Sequence, residues 1–174
     1  SILFIKRDGK MFLTGYHGTS LASANNILKN NEFKISSNDV DWLGSGIYFY
    51  FSIVDAYNWK NAEAILHSVI KVEDDEYLDI DSDEGSEIYQ EMIDFISESH
   101  CIEICGNIQK NQCSVFRMLW ETYSKLKVIS AKFPTEPTKI KTLIDKRPRR
   151  KEFCVRKNSQ IKCTYFIKRS DLDD

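Results

Sequence analysis

Hydrophobic positions along this chain switch repeatedly between the two-residue period of strands and the 3.6-residue period of helices. Residues 11–17, Met-Phe-Leu-Thr-Gly-Tyr-His, read as a short strand ending at His17. Ser20 can cap a following helix, in which Leu21, Ala24, Ile27 and Leu28 recur at helical spacing. Residues 47–51, Ile-Tyr-Phe-Tyr-Phe, are β-branched and aromatic and follow Gly-Ser-Gly, so they read as a strand after a tight turn. Ser52 or Asp55 then opens a helix carrying Ala56, Trp59 and Ala62.

Further along, residues 65–72 and 77–80 read as strands. Residues 84–98 read as a helix with Ile88, Met92, Phe95 and Ile96 on one side, and residues 112–126 as the longest helix, through Phe116, Leu119, Trp120, Tyr123 and Leu126. Residues 128–133 return to strand, and Pro134 and Pro137 mark a loop. Residues 152–155 and 161–167 are the last strands, with Asn158-Ser159 as the turn between them. No repeat is present. Helices and strands are interleaved without a regular βαβ rhythm, which predicts an α+β fold in a single domain over residues 1–174.

Composition narrows the function classes. The 24 Lys+Arg against 26 Asp+Glu leave a net charge of −2, so no global field draws the chain to nucleic acid or membrane. No apolar run reaches the ~18 residues of a membrane span. The amino-terminal stretch lacks the pattern of a signal peptide, and Met11 is a candidate start with residues 1–10 as an extension. Five cysteines without a CxxC pair read as reduced thiols in a cytoplasmic protein. The spacing of His100, Cys101, Cys105 and Cys113 fits no zinc pattern, so no metal is expected. The charge is segregated, however. Residues 73–103 hold 13 acids and no Lys or Arg, whereas residues 139–169 hold 12 Lys+Arg and two acids.

Two short segments carry chemistry. In Tyr16-His17-Gly18-Thr19 a His at a strand end precedes the residue of least bulk, whose backbone offers a close-approach donor–acceptor pair. In Gly44-Ser45-Gly46-Ile47-Tyr48-Phe49 a glycine hinge leads into a strand that presents Tyr48 on one face, a stacking surface for a flat heterocycle. Each alone reads more readily as a structural segment than as a site. Tyr48 follows His17 by 31 residues, and an Ala-containing aromatic helix comes next. In this order the segments resemble the ADP-ribosyltransferase superfamily, in the branch with a His-Tyr-Glu triad that includes poly-ADP-ribose polymerases, diphtheria-like toxins and small bacterial proteins.

The resemblance is specific over residues 16–59, plausible at 149–156 and absent over about 81–140. It implies a split β-sandwich of two small antiparallel sheets with flanking helices, and NAD as co-substrate. It implies that His17 contacts the ribose next to nicotinamide, that Gly18, beside Thr19, holds the carboxamide, and that Tyr48 stacks on the nicotinamide. Tyr57 or Trp59 would cover the other face. Glu152, 104 residues after Tyr48 and the only acid between Asp145 and Asp171, would be the catalytic carboxylate. Arginine-specific members carry a second carboxylate two residues earlier, where this chain has Arg150. The run Lys-Arg-Pro-Arg-Arg-Lys at 146–151 enters the Glu152 strand, so Arg147, Arg149, Arg150 and Lys151 suit a polyanionic acceptor, RNA ahead of protein. The plainer reading is that this block pairs with residues 73–103 or with an acidic neutralising partner. The expected function is a mono-ADP-ribosyltransferase resembling toxin or antiviral-defence effectors, with an antitoxin protein as a partner. The alternative is a non-catalytic module of the same fold that binds NAD, ADP-ribose or RNA.

Overall fold

The computed structural model of the protein describes residues 5–7, 9–134 and 149–172. Strand β1 (Ile5–Arg7) turns into β2 (Lys10–Thr19), and Ser20 then caps helix α1 (Leu21–Asn30) by accepting the Ser23 N–H at 3.2 Å. Strand β3 (Ile47–Tyr50) leads into helix α2 (Ile53–Tyr57), then β4 (Ala64–Glu73) and the short β5 (Tyr77–Asp79). Two longer helices follow, α3 (Asp83–Ser99) and α4 (Ile108–Thr122). The chain closes with β6 (Val128–Pro134), β7 (Arg149–Val155) and β8 (Ile161–Lys168). The α+β class expected from the pattern is what forms.

All eight strands join one hydrogen-bonded sheet, in the order β5-β6-β7-β3-β2-β4-β8 with β1 paired to β2. Only β5 and β6 run parallel; the other pairings are antiparallel. The strands are therefore connected, where two separate small sheets were expected. The connection is uneven. β2 and β4 pair over ten positions, from Lys10↔Glu73 to Thr19↔Ala64, but β2 and β3 meet at the single pair Tyr16↔Tyr50. Past that pair, residues 17–19 of β2 stay paired with β4 but not with β3, and this break in the ladder, the notch, is covered at Gly18 by the Ala56 carbonyl of α2.

Both faces of the sheet carry core. On one, Met11, Leu13, Leu66, Ile70, Phe49 and Phe153 pack against Ala24 and Ile27 of α1 and against Phe33. On the other, Ile129, Ala131 and Cys154 pack under α3 and α4 through Met92, Ile96, Phe116, Leu119 and Trp120. A small third cluster, Tyr50, Ile65 and Ala56, seats α2 beside the notch.

Three elements depart from the periodic reading. The helix expected past residue 52 ends at Tyr57, and Trp59 lies in a 3-10 turn where Lys60 takes φ +43°. Five residues with β-branched Ile53 and Val54 and no side-chain cap hold as a helix only through the packing of Ala56. On α3, Phe95 is 55% exposed, and the buried stripe runs instead through Gly85, Met92 and Ile96, with Ile88 partly covered. Helix α4 starts four residues before the expected point, because Asn107 caps it by accepting the Lys110 N–H at 3.1 Å. It ends at Thr122, and α3, not α4, is the longest helix among the described residues.

Candidate functional site

The residues singled out by sequence fall on three adjacent strands. His17 is on β2, Tyr48 on β3 and Glu152 on β7. His17 lies in the notch one position past the Tyr16↔Tyr50 pair, and its Nδ1–H donates to the Tyr48 carbonyl at 2.8 Å. The Phe33 and Phe49 rings approach it at 5.4 and 5.9 Å between centroids. Burial pushes the imidazole below its ordinary pKa, with the Tyr48 carbonyl acting weakly against it. The ring is thus neutral at pH 7 with its proton on Nδ1, so Nε2 is an acceptor suited to an O–H donor.

Strand alternation places His17 toward the α1 side, while Tyr48, Tyr50 and Glu152 share the other face through the pairs Tyr48↔Cys154 and Tyr50↔Glu152. The sheet therefore does not bring the His17 ring against the Glu152 carboxyl. What surrounds Glu152 is a cluster the sequence reading did not single out as such. The Tyr50 hydroxyl donates to the Glu152 carboxylate and receives a hydrogen bond from Arg150. Arg150 Nε also lies 3.6 Å from Asp55 Oδ1. Desolvation outweighs these partners and pushes the Glu152 carboxyl up to about 7. Asp55 is raised too, chiefly by burial, with Arg150 opposing. Both phenols on this face, Tyr48 and Tyr50, are raised by burial. Tyr50 differs from Tyr48 by one strand period, and that period-two step was the signal in the sequence that both reach the same face.

The other residues expected at the site divide. The Tyr48 hydroxyl is held in the glycine turn, accepting the Leu43 N–H at 2.9 Å and donating to the Gly44 carbonyl at 2.6 Å. Gly44 takes φ +79°, which lets the turn close under that hydroxyl. A methyl at Gly18 would collide with the Ala56 carbonyl, so the missing side chain accommodates α2. Thr19 ends β2, half-buried, opposite Ala64. Trp59 stands 6.2 Å from the Tyr50 ring and is 40% exposed, with Lys60 Nζ 4.7 Å above it. Tyr57 packs beside Tyr50 and Ala56.

The basic run is partly committed within the chain. Lys151 Nζ lies 2.6 Å from Asp79 Oδ2 and 3.7 Å from Asp81 Oδ2, so this cation meets the acidic block 73–103. Arg150 serves Asp55 and Tyr50. Arg149 opens β7, and Arg147 lies outside the described residues. Among the described residues no group of three or more His, Cys, Asp or Glu is placed to hold a metal ion, and no helix is long and apolar enough to cross a membrane.

No known family profile matches this chain. It is similar to an uncharacterized protein of Methanocaldococcus jannaschii, 40% identical over 68 residues, a stretch covering 35% of this chain and 32% of the archaeal protein. The chain thus matches about a third of that relative's length.

Proposed function

We propose that the protein is a mono-ADP-ribosyltransferase that consumes NAD. The observation that carries this reading is the notch. There β2 and β3 part after one pair, a neutral His17 is fixed in the gap with Nε2 as acceptor, and the Glu152 carboxyl lies beside the closed end with its pKa near 7. A group of that kind suits a sugar hydroxyl. The Glu152 carboxylate, on the opposite face of the sheet, suits the positive charge that develops on the ribose as nicotinamide leaves. In the reaction the bond from ribose to the nicotinamide nitrogen breaks, and a nucleophilic oxygen or nitrogen of the acceptor forms the new bond. The acceptor's proton passes to solvent.

Each residue has a separate task. His17 takes a hydrogen bond from a ribose hydroxyl. The Tyr48 ring and one of Tyr57 and Trp59 flank the nicotinamide; the exposed, notch-side Trp59 is the better placed by accessibility. Glu152 stabilises the ribosyl cation, and Tyr50 with Arg150 orients its carboxylate. The split-sandwich family fold belongs to this proposal. The single Tyr16↔Tyr50 bridge supports it, because one broken rung would separate the sheet into halves β5-β6-β7-β3 and β2-β4-β8. Chromatographic release of nicotinamide from NAD, with cell RNA and protein present as acceptors, tests the reading. Release that is lost in Glu152→Gln and His17→Ala supports it. NAD binding by calorimetry without release would favour the non-catalytic module, and neither binding nor release would overturn both.

A further inference from the structure

Helix α2 brings a second carboxyl to the Glu152 cluster. Asp55 lies on its first turn, with Oδ1 3.6 Å from Nε of Arg150, the same side chain that donates to the Tyr50 hydroxyl beside Glu152. One guanidinium therefore serves two acids. The carboxyls also act on each other through space, since the charge on Asp55 helps to raise Glu152. Their access to water differs. Glu152 sits within the sheet, paired with Ala131 of β6 on one side and Tyr50 of β3 on the other. The Asp55 side chain is 25% exposed, on a short helix whose neighbouring Val54 and following Trp59 are exposed. A molecule arriving from water over α2 meets Asp55 before Glu152.

An ion pair with Arg150, near the start of a helix, is the plain account of Asp55. Two observations exceed it. At 3.6 Å, Arg150 Nε holds Asp55 by charge and not by a hydrogen bond, so that oxygen keeps its capacity to accept one. A pair kept for stability also favours the ionised carboxyl, yet burial outweighs Arg150 and pushes Asp55 above the ordinary aspartate value. The fold thus carries this charge at a cost.

We propose that Asp55 is the general base for the acceptor, a second catalytic carboxylate beside Glu152. This deepens the transferase reading above and rests on it. The bond from ribose to the nicotinamide nitrogen breaks, and its electron pair leaves with nicotinamide. The acceptor's oxygen or nitrogen forms the new bond to the same ribose carbon. Its proton passes to the Asp55 carboxylate and from there to solvent. Glu152 stays with the ribosyl cation, and Arg150 fixes the two carboxylates relative to each other.

The test is nicotinamide release from NAD by the full chain, with water as the acceptor, with and without molar sodium azide. Azide attacks as an anion and has no proton to lose, so it bypasses a base but not a group that stabilises the cation. Asp55→Asn should lower kcat roughly 10²-fold with KM for NAD little changed, and azide should restore the rate, giving the ribosyl azide. Glu152→Gln should stay slow with azide. Asp55→Asn keeps the shape and loses a charge held at a cost, so its melting point should equal or exceed the parent's. Asp55→Ala is the second variant and should respond to azide in the same way. Release by Asp55→Asn at the parent rate overturns the proposal. So does slow release that azide fails to restore in both variants, or a rise in KM with kcat unchanged, because each leaves Asp55 only a prop for Arg150. In those cases the transferase reading stands on the loss in Glu152→Gln. A parent protein that releases no nicotinamide overturns that reading and the proposal together.

Discussion

Replacing Glu152 by Gln keeps the shape and the acceptor for the Tyr50 hydroxyl but removes the ability to ionise. Desolvation pushes the folded carboxyl up to about 7 from the ordinary glutamate value of 4.5. A raised carboxyl binds its proton more tightly in the folded state than in the unfolded state. Below pH 4.5 both states are protonated and nothing is lost. Between 4.5 and 7 the unfolded chain ionises first, so stability falls as pH rises; above 7 the full cost is present. That cost is on the order of 3 kcal/mol. Glu152→Gln should therefore differ from the parent by less than about 1 kcal/mol at pH 5 and be more stable by about 3 kcal/mol at pH 8.5. For a chain of this length that corresponds to a melting point raised by ~6–12 °C. The lowered pKa of His17 has the opposite effect, adding stability as pH rises toward 6.5, but it cancels in the difference between the two proteins. Urea or thermal unfolding at the two pH values measures it. The same variant should release nicotinamide roughly 10²–10³-fold more slowly and lose the parent's rise in rate through pH 7. A variant no more stable than the parent at pH 8.5 would refute the reasoning about Glu152.

Three other substitutions probe the notch. His17→Ala removes the bond to the Tyr48 carbonyl and the ring between Phe33 and Phe49, so it should cost ~1–3 kcal/mol in urea and lower NAD affinity at least about tenfold by calorimetry. Tyr48→Phe strands the Leu43 N–H and should cost about 1–3 kcal/mol, while the ring that remains keeps NAD affinity within a few-fold of the parent. Gly18→Ala forces a methyl against the Ala56 carbonyl and should cost ~1–3 kcal/mol, with loss of NAD affinity as α2 shifts away from Tyr50.

The parts of the fold that sequence disclosed are those whose signal is local. The Ser20 cap, the β2 and β3 strands and the presence of a helix at α3 each follow from residues within a few positions of one another. What stayed hidden depends on pairing at long range. The strand β7 begins at Arg149, three residues before the apolar run suggested. Its charged start is held by a ladder to β6 and by carboxylates on α2 and near β5. Trp59 belonged to the helix by spacing, but Lys60 in the left-handed region breaks it. Tyr50 illustrates the limit best. Its place beside Glu152 depends on a register between residues 102 positions apart, and no pattern within 47–51 distinguishes it from a core tyrosine.

His17 and Glu152 stand on opposite sides of the sheet by alternation, which in a continuous ladder would keep any one small molecule from meeting both. A fully paired sheet is an impermeable layer, since every backbone group is committed to a neighbour and side chains fill both faces. The single Tyr16↔Tyr50 pair changes this. Beyond it β2 follows β4 while β3 follows β7, and the ladder between them is interrupted along residues 17–19. His17 is held at the interruption by the backbone of the strand across from it, and Glu152 lies next to the rung that closes it. Gly18 in this stretch lies against the Ala56 carbonyl, so α2 covers the junction. The transferase reading proposed above requires one extended ligand to reach the imidazole from one side of the sheet and the carboxyl from the other. Widening the β2–β3 pairing by even one rung would be expected to stabilise the fold and close the site.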